Sequence, residues 1–193
     1  MLEYFPCQRT HEDRLNYFYT MNIFETERLL VRTYSEGDQE NFFLLNGNED
    51  VMRYIRPVKS REECDEFLLE VIAYSRAEEI YGRWAVEDKL TREFIGSFAI
   101  IPREGKEQMQ LGYALLPQYW GKGYATELTV AGIRYVFTKT PIDPIYAYAQ
   151  APNHSSQKVL LKAGFRHIGN DNENGKEIAG FMLRKSEYLE AIF

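Results

Sequence analysis

Two glycines one residue apart, Gly121 and Gly123, stand between a predicted strand and a predicted helix. The strand period of residues 109–115 ends at Pro117, and apolar residues then recur at helical spacing from Ala125 onward. Such a turn exposes backbone N–H groups at the positive end of a helix dipole, and glycine lets a phosphate approach the main chain closely. The pattern therefore predicts an anion site at which a phosphate group binds.

A second polar pair, Asn153 and Ser156, opens a segment with helical apolar spacing that Gly164 ends. Asparagine is a favoured N-cap, and a serine three residues later lies in the first helical turn. Capping by itself explains both residues, so the pair taken alone predicts a helix start and no particular chemistry.

Other phosphate and metal motifs are missing from the chain. The glycine turn lacks the third glycine of the dinucleotide fingerprint, and no G-x-x-x-x-G-K-[ST] loop occurs, which argues against a nucleotide hydrolase. Cys7 and Cys64 lie far apart and the 3 histidines are scattered, which predicts that no metal is bound.

The composition of the 193-residue chain narrows the class of partner. A net charge of −6 argues against nonspecific nucleic-acid binding and is mildly permissive of a cationic acceptor. No apolar run is long enough to span a membrane, and the N-terminus lacks a signal-peptide core. We therefore expect a cytoplasmic protein with no nucleic-acid or membrane partner, and we leave a homodimer open.

The segment Q-Y-W-G-K-G, which follows L-G-Y-A-L-L-P, has the spacing Q-x-x-G-x-G and resembles the acetyl-CoA pyrophosphate loop of the GNAT superfamily of N-acetyltransferases. Within that superfamily, W-G-K-G-Y-A-T-E is most similar to the RimJ/RimL type, which acetylates ribosomal-protein N-termini and other amines. The segments E-T-E-R-L-L-V-R and V-M-R-Y-I resemble the same group, and N-x-x-S…K-x-G-F follows the loop at the family's distance. Two motifs in the right order are far more specific than either one.

The resemblance implies acetyl-CoA as the acyl donor, without a metal, and a set of residues that bind it. The set covers the strand end, the glycine turn, the helix start and one residue of the second motif: Leu115, Leu116, Gln118, Gly121, Lys122, Gly123, Tyr124, Ala125, Thr126 and Asn153. In the family, the central strand splays from its neighbour, and its unpaired backbone groups bind pantetheine and polarise the thioester carbonyl. The matching groups here lie around Tyr113 to Leu116.

Ser156 and Asn153 are the catalytic candidates that the resemblance implies. In the family, the asparagine contacts the cofactor arm and the serine lies near the thioester sulfur. Asn153 would therefore orient pantetheine, and Ser156 would donate a proton or a hydrogen bond to the thiolate. Many members place a tyrosine acid four residues beyond the serine, where this chain has Leu160, so Ser156 is the leading acid.

The general base is the least determined part of the site. Related enzymes often carry a glutamate two residues before the central-strand Gly-Tyr, and Gln110 stands there in this chain. Glutamine can orient a water or an amine but cannot take a proton. Glu107, Asp88 or an acid of the Glu49–Asp50 segment could act through water. An α-amine, whose pKa of about 8 is below that of lysine, needs less help from a base.

We expect acetyl transfer to a primary amine, with the N-terminal α-amine of a protein or peptide as one acceptor. The residues expected to line the acceptor pocket are Trp84, Tyr54, Gln110 and Tyr113. Two alternatives stay open. One is a small-molecule enzyme acting on polyamines, amino acids or aminoglycosides, and the other is a CoA-binding sensor without turnover, which Gln110 makes conceivable.

The chain must supply a sheet and helices that hold these residues. Alternation and turn signals predict strands at 29–33, 83–87, 94–101, 109–115, 145–150, 165–169 and 178–183, the last two as a hairpin. Caps and helical spacing predict helices that begin after Ser35, near Asp50, after Ser60, at the glycine turn and at Asn153.

These elements and the resemblance together predict an α+β protein with the GNAT fold. Its mixed, mostly antiparallel central sheet would be flanked by helices and contain a splayed central strand pair. Residues 1–20 show no sustained period and are predicted to be an N-terminal extension, while residues 21–193 are predicted to form a single acetyltransferase domain.

Overall fold

Eight strands and six α-helices make up the part of the chain that the structure describes, residues 20–78 and 80–190 of a computed structural model. The strands are β1 Asn22–Glu25, β2 Leu29–Thr33, β3 Gly82–Asp88, β4 Phe94–Pro102, β5 Met109–Leu115, β6 Ile145–Gln150, β7 Arg166–Glu173 and β8 Lys176–Leu183. The helices are α1 Gln39–Asn46, α2 Glu49–Met52, α3 Arg61–Ala77, α4 Tyr124–Lys139, α5 His154–Lys162 and α6 Lys185–Glu190, with 3₁₀ turns at Glu36–Asp38 and Pro117–Tyr119. Residues 1–19 of the predicted extension lie outside the described residues.

The strands form one mixed sheet in the order β1-β2-β3-β4-β5-β6-β8-β7. Every neighbouring pair is antiparallel except β5 and β6, which run parallel because α4 connects them as a crossover. The predicted fold class is confirmed, and residues 83–116 form the predicted antiparallel meander of β3, β4 and β5. The sequence pattern did not predict β1, which pairs with β2, or the terminal helix α6.

The parallel strands β5 and β6 are held together only near their beginnings. Their register contains a single pair, Gln110 with Tyr146, although the strands have seven and six residues. Beyond that pair the strands diverge, so the backbone of the rest of β5 has β4 on one side and an open gap on the other. The predicted splay of the central strand pair is confirmed.

The two faces of the sheet belong to two different cores, because side chains alternate along each strand. On one face, α4 packs against a cluster that includes Trp84 and Phe98. The contact is tight, since a Cβ added to Gly132 of α4 would lie 2.2 Å from the Phe98 ring. On the other face, α1, α2 and α3 pack over Ala85 and Leu116.

A buried ion cluster fixes β2 to the start of α1. Arg32 donates from Nε to Glu87 Oε1 at 2.6 Å and from Nη1 to Asp38 Oδ2 at 2.9 Å. The same Asp38 oxygen accepts the N–H of Ser35 at 2.8 Å, which closes a capping box. Burial by itself would raise the pKa of Asp38, but the hydrogen bonds from Arg32 and Ser35 outweigh it and hold the pKa below its usual value.

Candidate active site

The glycine turn joins the end of β5 to the first residue of α4. Gly121 has φ 73° and Gly123 has φ 82°, which is left-handed backbone that glycine adopts without a Cβ clash. Gly123 is the N-cap residue of α4, a helix of 16 residues. Trp120 fixes the turn to the strand, because its Nε1 donates to the carbonyl of Leu115 at 2.7 Å.

Most backbone N–H groups of this turn have no partner in the part of the chain that the structure describes. Those of Tyr119 and Trp120 donate to the carbonyls of Leu116 and Pro117, and the first helical bond of α4 runs from Glu127 to the Gly123 carbonyl at 3.1 Å. Between them, the N–H groups of residues 121–126 donate to no backbone carbonyl of the described residues. Six such donors at the positive end of a helix are an arrangement that can bind an anion, and we call this turn the cradle.

Arg28, in the hairpin between β1 and β2, contacts both the glycine turn and the first turn of α4, and we call this set of contacts the brace. Its Nε donates to Glu127 Oε2 at 2.7 Å, its Nη1 donates to the Lys122 carbonyl at 3.1 Å, and its guanidinium lies 4.3 Å from the Tyr124 ring centroid. Thr26 adds a hydrogen bond from Oγ1 to Glu127 at 2.5 Å. The sequence patterns did not predict this brace, although both partners stand inside motifs noted for their resemblance to the family.

A single cavity of about 840 Å³ runs from the cradle, along β5 and the gap beside it, to the helices α1 and α2. It brings together most of the residues predicted for the site. Those that line it are Leu115, Gly121, Gly123, Tyr124, Ala125, Thr126, Asn153, Ser156, Gln110, Tyr113 and Tyr54.

Three residues of the predicted cofactor set do not line the cavity. Leu116 is 2% exposed in the core under α1, its N–H donates to Ile95 at 2.9 Å, and its carbonyl accepts the N–H of Tyr119 at 3.0 Å. The side chains of Gln118 and Lys122 are exposed and lie outside the cavity lining. The cofactor roles predicted for these three residues stay predictions.

Trp84, predicted for the acceptor pocket, lies instead in the core beneath α4. It is 1% exposed, stacks on Phe98 at 6.1 Å and meets Tyr135 edge-on at 5.7 Å. The sequence predicted strand β3, but it did not predict which of the two faces of β3 meets the pocket. The neighbouring Arg83 lines the cavity, because successive side chains of β3 point to opposite faces.

The backbone groups that face the gap follow from the pairing of β5 with β4. Leu116 donates to Ile95, and hydrogen-bonded positions alternate along an antiparallel ladder. Ala114 and Gly112 therefore face β4, while the backbone of Tyr113 and Leu115 faces the gap. Of the groups that face the gap, the Leu115 carbonyl already accepts a hydrogen bond from Trp120. The groups that can donate into the gap are the N–H groups of Tyr113 and Leu115.

Two hydroxyl groups meet beside the gap. Tyr113 donates from its hydroxyl to Ser156 Oγ at 3.4 Å, and burial raises the pKa of Tyr113, so the phenol stays protonated. Asn153 caps α5 by accepting the N–H of Ser156 on Oδ1 at 3.1 Å. A tyrosine from β5 thus lies next to Ser156, while Leu160, at the position where many family members have a tyrosine, is 2% exposed in the core.

The carboxylates suggested as bases are elsewhere or already paired. Asp88 accepts the N–H groups of Leu90 and Thr91 at 2.9 Å each, which lowers its pKa, and neither it nor Glu107 lines the cavity. Among the described residues, the carboxylates that line the cavity are Asp50 and Glu173. Their partners are Arg53 and Arg103, respectively.

Two other kinds of feature are absent from the same described residues. No three His, Cys, Asp or Glu side chains lie close enough together to hold a metal ion. No helix has both the length and the apolar character needed to cross a membrane.

Comparison with known proteins agrees with this geometry. Residues 28–166 match the family model described as an acetyltransferase (GNAT) domain. The uncharacterized protein YkkB of Bacillus subtilis is 32% identical over 159 residues, which cover 80% of this chain and 91% of YkkB. The uncharacterized N-acetyltransferase YoaA of the same organism is 29% identical over 150 residues, which cover 76% of this chain and 84% of YoaA.

Solved structures share the fold. Spermidine N-acetyltransferase from Vibrio cholerae, in complex with CoA and spermine, superposes with a TM-score of 0.69 at 24% identity, over 83% of this chain and 98% of that one. RimL, a ribosomal L7/L12 alpha-N-protein acetyltransferase in complex with coenzyme A, has a TM-score of 0.72 at 16% identity, over 85% of this chain and 98% of that one. With the family model covering most of the chain, the protein belongs to the GNAT family of acetyltransferases.

Proposed function

We propose that this acetyl-CoA-dependent N-acetyltransferase acetylates a primary amine that enters the cavity from the side of α1 and α2. The observation that carries the proposal is one continuous cavity with unpaired N–H groups at one end and the Tyr113–Ser156 hydroxyl pair beside the gap. A sensor without turnover would need the cradle alone. The hydroxyl pair favours an enzyme.

The residues around the cradle fit the acyl donor. The N–H groups of residues 121–126 would bind the pyrophosphate, and Lys158 and Lys162, one turn apart on the cavity side of α5, would add positive charge. Asn153 uses its Oδ1 as a cap, which leaves its Nδ2 to donate to the pantetheine arm. Acetyl-CoA supplies the acetyl group as a reactive thioester.

The side chains and backbone around the gap would carry the transfer. The N–H groups of Tyr113 and Leu115 would donate to the thioester carbonyl oxygen as negative charge develops on it. Ser156 would donate its proton towards the departing sulfur and recover one from Tyr113, and Tyr113 would regain a proton from water, which takes up the proton that the amine releases. Gln110, which lines the cavity, would orient the amine or a water.

The acceptor must lose a proton without help from an unpaired carboxylate among the described residues that line the cavity. Since Asp50 and Glu173 are paired with arginines, the amine would bind in its neutral form or pass its proton to water. An α-amine does so more readily than a lysine or a polyamine amine, because its pKa is about 2 units lower. We therefore favour an α-amine or another amine of low pKa, as in the RimJ/RimL type, whose member RimL has the same fold.

A small-molecule amine is the second candidate, since the polyamine enzyme of Vibrio cholerae also shares the fold. Thiol release from acetyl-CoA, measured with N-terminal peptides, amino acids, polyamines and aminoglycosides, tests both. We expect turnover with at least one amine class, and a rate that rises with pH as the amine deprotonates. Acetyl-CoA binding without thiol release for any amine would support the sensor instead.

A further inference from the structure

Two arginines at the acceptor end of the cavity have no carboxylate partner among the residues that the structure describes. Arg56, which follows α2, donates from Nη2 to the Asn46 side-chain oxygen, and its Nε is buried without a hydrogen-bond partner. Arg83, on β3, contacts the Phe67 ring at 5.8 Å. Within residues 20–78 and 80–190, no ion pair of 4 Å or less joins either guanidinium to an acid.

Two buried arginines elsewhere in the described part of the chain form ion pairs with carboxylates. Arg32 is paired with Asp38 and Glu87, and Arg103 with Glu173. In contrast, burial and then the positive charge of Arg56 lower the pKa of Arg83 to about 10, and burial lowers the pKa of Arg56. A charge that is partly removed from water and has no counter-ion destabilises a fold. Its presence in a cavity wall therefore points to a ligand that supplies the opposite charge.

The aromatic contact does not supply the missing negative charge. Arg56, Lys59 and Arg83 lie 5.0, 5.3 and 5.8 Å from the centroid of the same Phe67 ring. One ring attracts a cation by about 0.5–2 kcal/mol and neutralises none of them. This end of the cavity therefore has a net positive potential, which favours an anion and opposes a polyamine.

The floor of the cavity leaves a clear path from the arginines to the gap. Arg83, Ala99 and Gly112 are cross-strand partners on β3, β4 and β5, so they share one face of the sheet. A Cβ added to Gly112 would meet nothing within 4 Å, which means that the space above β5 is open. Two strand spacings, about 10 Å, separate Arg83 from the central strand.

We propose that the acceptor amine also carries an oxyanion, a carboxylate or a phosphate, which Arg56 and Arg83 bind while the amine lies at the gap. The inference rests on the proposed acetyl transfer. Guanidinium groups suit this role because their fixed fork of donors matches both oxyanions. The distance across the floor favours a short, flexible acceptor with its charge and its amine at opposite ends. A short peptide meets this condition with an α-amine of low pKa, while ω-amino acids and alkylamines share a higher amine pKa, so that comparing them isolates the effect of the carboxylate.

A matched series of acceptors tests the proposal directly. Thiol release is measured with ω-amino acids of increasing length, with n-alkylamines of the same lengths, with aminoalkyl phosphates and with spermidine. We expect kcat/KM for the best amino acid or aminoalkyl phosphate to exceed that of its alkylamine about 10-fold or more. The carboxylate and phosphate arms decide which oxyanion is preferred.

Variants then assign the preference to the arginines. Arg83→Gln and Arg56→Gln should each reduce the ratio of anionic amine to alkylamine about 10- to 100-fold, mainly through KM, since each removes charge-assisted hydrogen bonds. Arg83→Lys should recover part of it. The matched control is Arg166→Gln, since Arg166 is exposed, is paired with Glu187 and lies outside the cavity lining, and it should keep the wild-type ratio.

The outcomes separate this inference from the proposed function. Wild-type kcat/KM that is equal for alkylamines or spermidine and for anionic amines would overturn the inference and leave acetyl transfer standing. If no amine releases thiol, acetyl transfer fails, and binding decides the inference: N-acetylated ω-amino acids are titrated calorimetrically with CoA present. Binding that Arg83→Gln abolishes supports the oxyanion site, and absence of binding to the folded wild type overturns it.

Discussion

Ser156 and Tyr113 form the part of the site whose chemistry depends most on individual atoms. Their hydroxyl groups lie 3.4 Å apart beside the gap, and the raised pKa of Tyr113 keeps its proton available. The role proposed for Ser156 was implied by the resemblance to the family, whereas local geometry predicted only that Asn153 caps a helix with Ser156 in its first turn. The tyrosine was not predicted as its partner, because 43 residues separate the two and only the fold brings them together.

Ser156→Ala and Tyr113→Phe should therefore lower kcat far more than they change the KM for acetyl-CoA. General acid catalysis contributes about 10²-fold or more, so we expect a loss of about that size for Ser156→Ala and a smaller one for Tyr113→Phe. Steady-state kinetics with the best amine measures both. The control Tyr146→Phe alters a β6 tyrosine that stacks on Tyr148 and should keep wild-type turnover. Undiminished kcat in Ser156→Ala would exclude the serine from the transfer.

The brace at Arg28 works through backbone position and makes no contact with the reacting atoms. Because Arg28 holds both Glu127 and the Lys122 carbonyl, Arg28→Met should loosen the turn and weaken CoA binding about 10-fold. The pair is partly exposed, with 42% of the Arg28 side chain accessible, so the unfolding midpoint should change little. Calorimetric titration and thermal unfolding measure the two effects. A lower unfolding midpoint with unchanged CoA affinity would show that the brace serves stability alone.

The close packing of helix α4 on the sheet depends on one small residue, Gly132. Gly132 lies against Phe98, which is itself stacked on Trp84, so the ring has no room to move. Gly132→Ala should destabilise the protein by about 1–3 kcal/mol, even though alanine is the better helix former by about 1 kcal/mol. Urea unfolding measures the change, with Gly37→Ala, which meets only the Ser35 hydroxyl at 3.6 Å, as the control. A stabilised Gly132→Ala variant would mean that α4 does not lie this close to the sheet.

Most elements were predictable because their signals are local. The capping box at Ser60 and the glycine turn mark helix starts wherever they occur, and alternation marks strands. Alternation does not reveal which face of β3 meets the pocket. For that reason Trp84 was predicted to line the pocket although it lies in the core, and Arg83, which lines it, was not predicted. The splay of β5 from β6 also leaves no local signal, since it arises from strands that pair at a single position.

The molecule as a whole gains acid-sensitive stability from the buried cluster around Arg32. The pKa of Asp38 is lower in the folded protein than in the unfolded chain, so its ionisation stabilises the fold above the unfolded value of about 3.9. That contribution is lost as the pH falls through the lower folded value. We expect the free energy of unfolding, measured in urea, to fall from pH 5 to pH 3, and to fall less steeply in Asp38→Asn. Equal slopes would mean that Asp38 is not part of the acid response.

The net charge of the protein and the charges that line its cavity have opposite signs and predict acceptors of opposite charge. A net charge of −6 is mildly permissive of a cationic acceptor, yet the acceptor end is lined by two arginines that have no acidic partner in the described part of the chain. Net charge describes the surface as a whole, whereas the potential in a cleft is set by the few groups that line it. The sequence could supply the first quantity but not the second, because Arg56 and Arg83 become neighbours only in the fold.

The central claim is that the N–H groups of residues 121–126 hold the diphosphate of coenzyme A. Gly121→Asn and Gly121→Asp test it most directly, because the two side chains have the same shape and tolerate left-handed backbone similarly. A carboxylate about 5 Å from the phosphates costs about 3 kcal/mol at an effective dielectric constant of 20. Calorimetric titration of coenzyme A into the folded variants should therefore give a Kd for Gly121→Asp about 100-fold weaker than for Gly121→Asn. Equal affinities for the two variants would contradict the account.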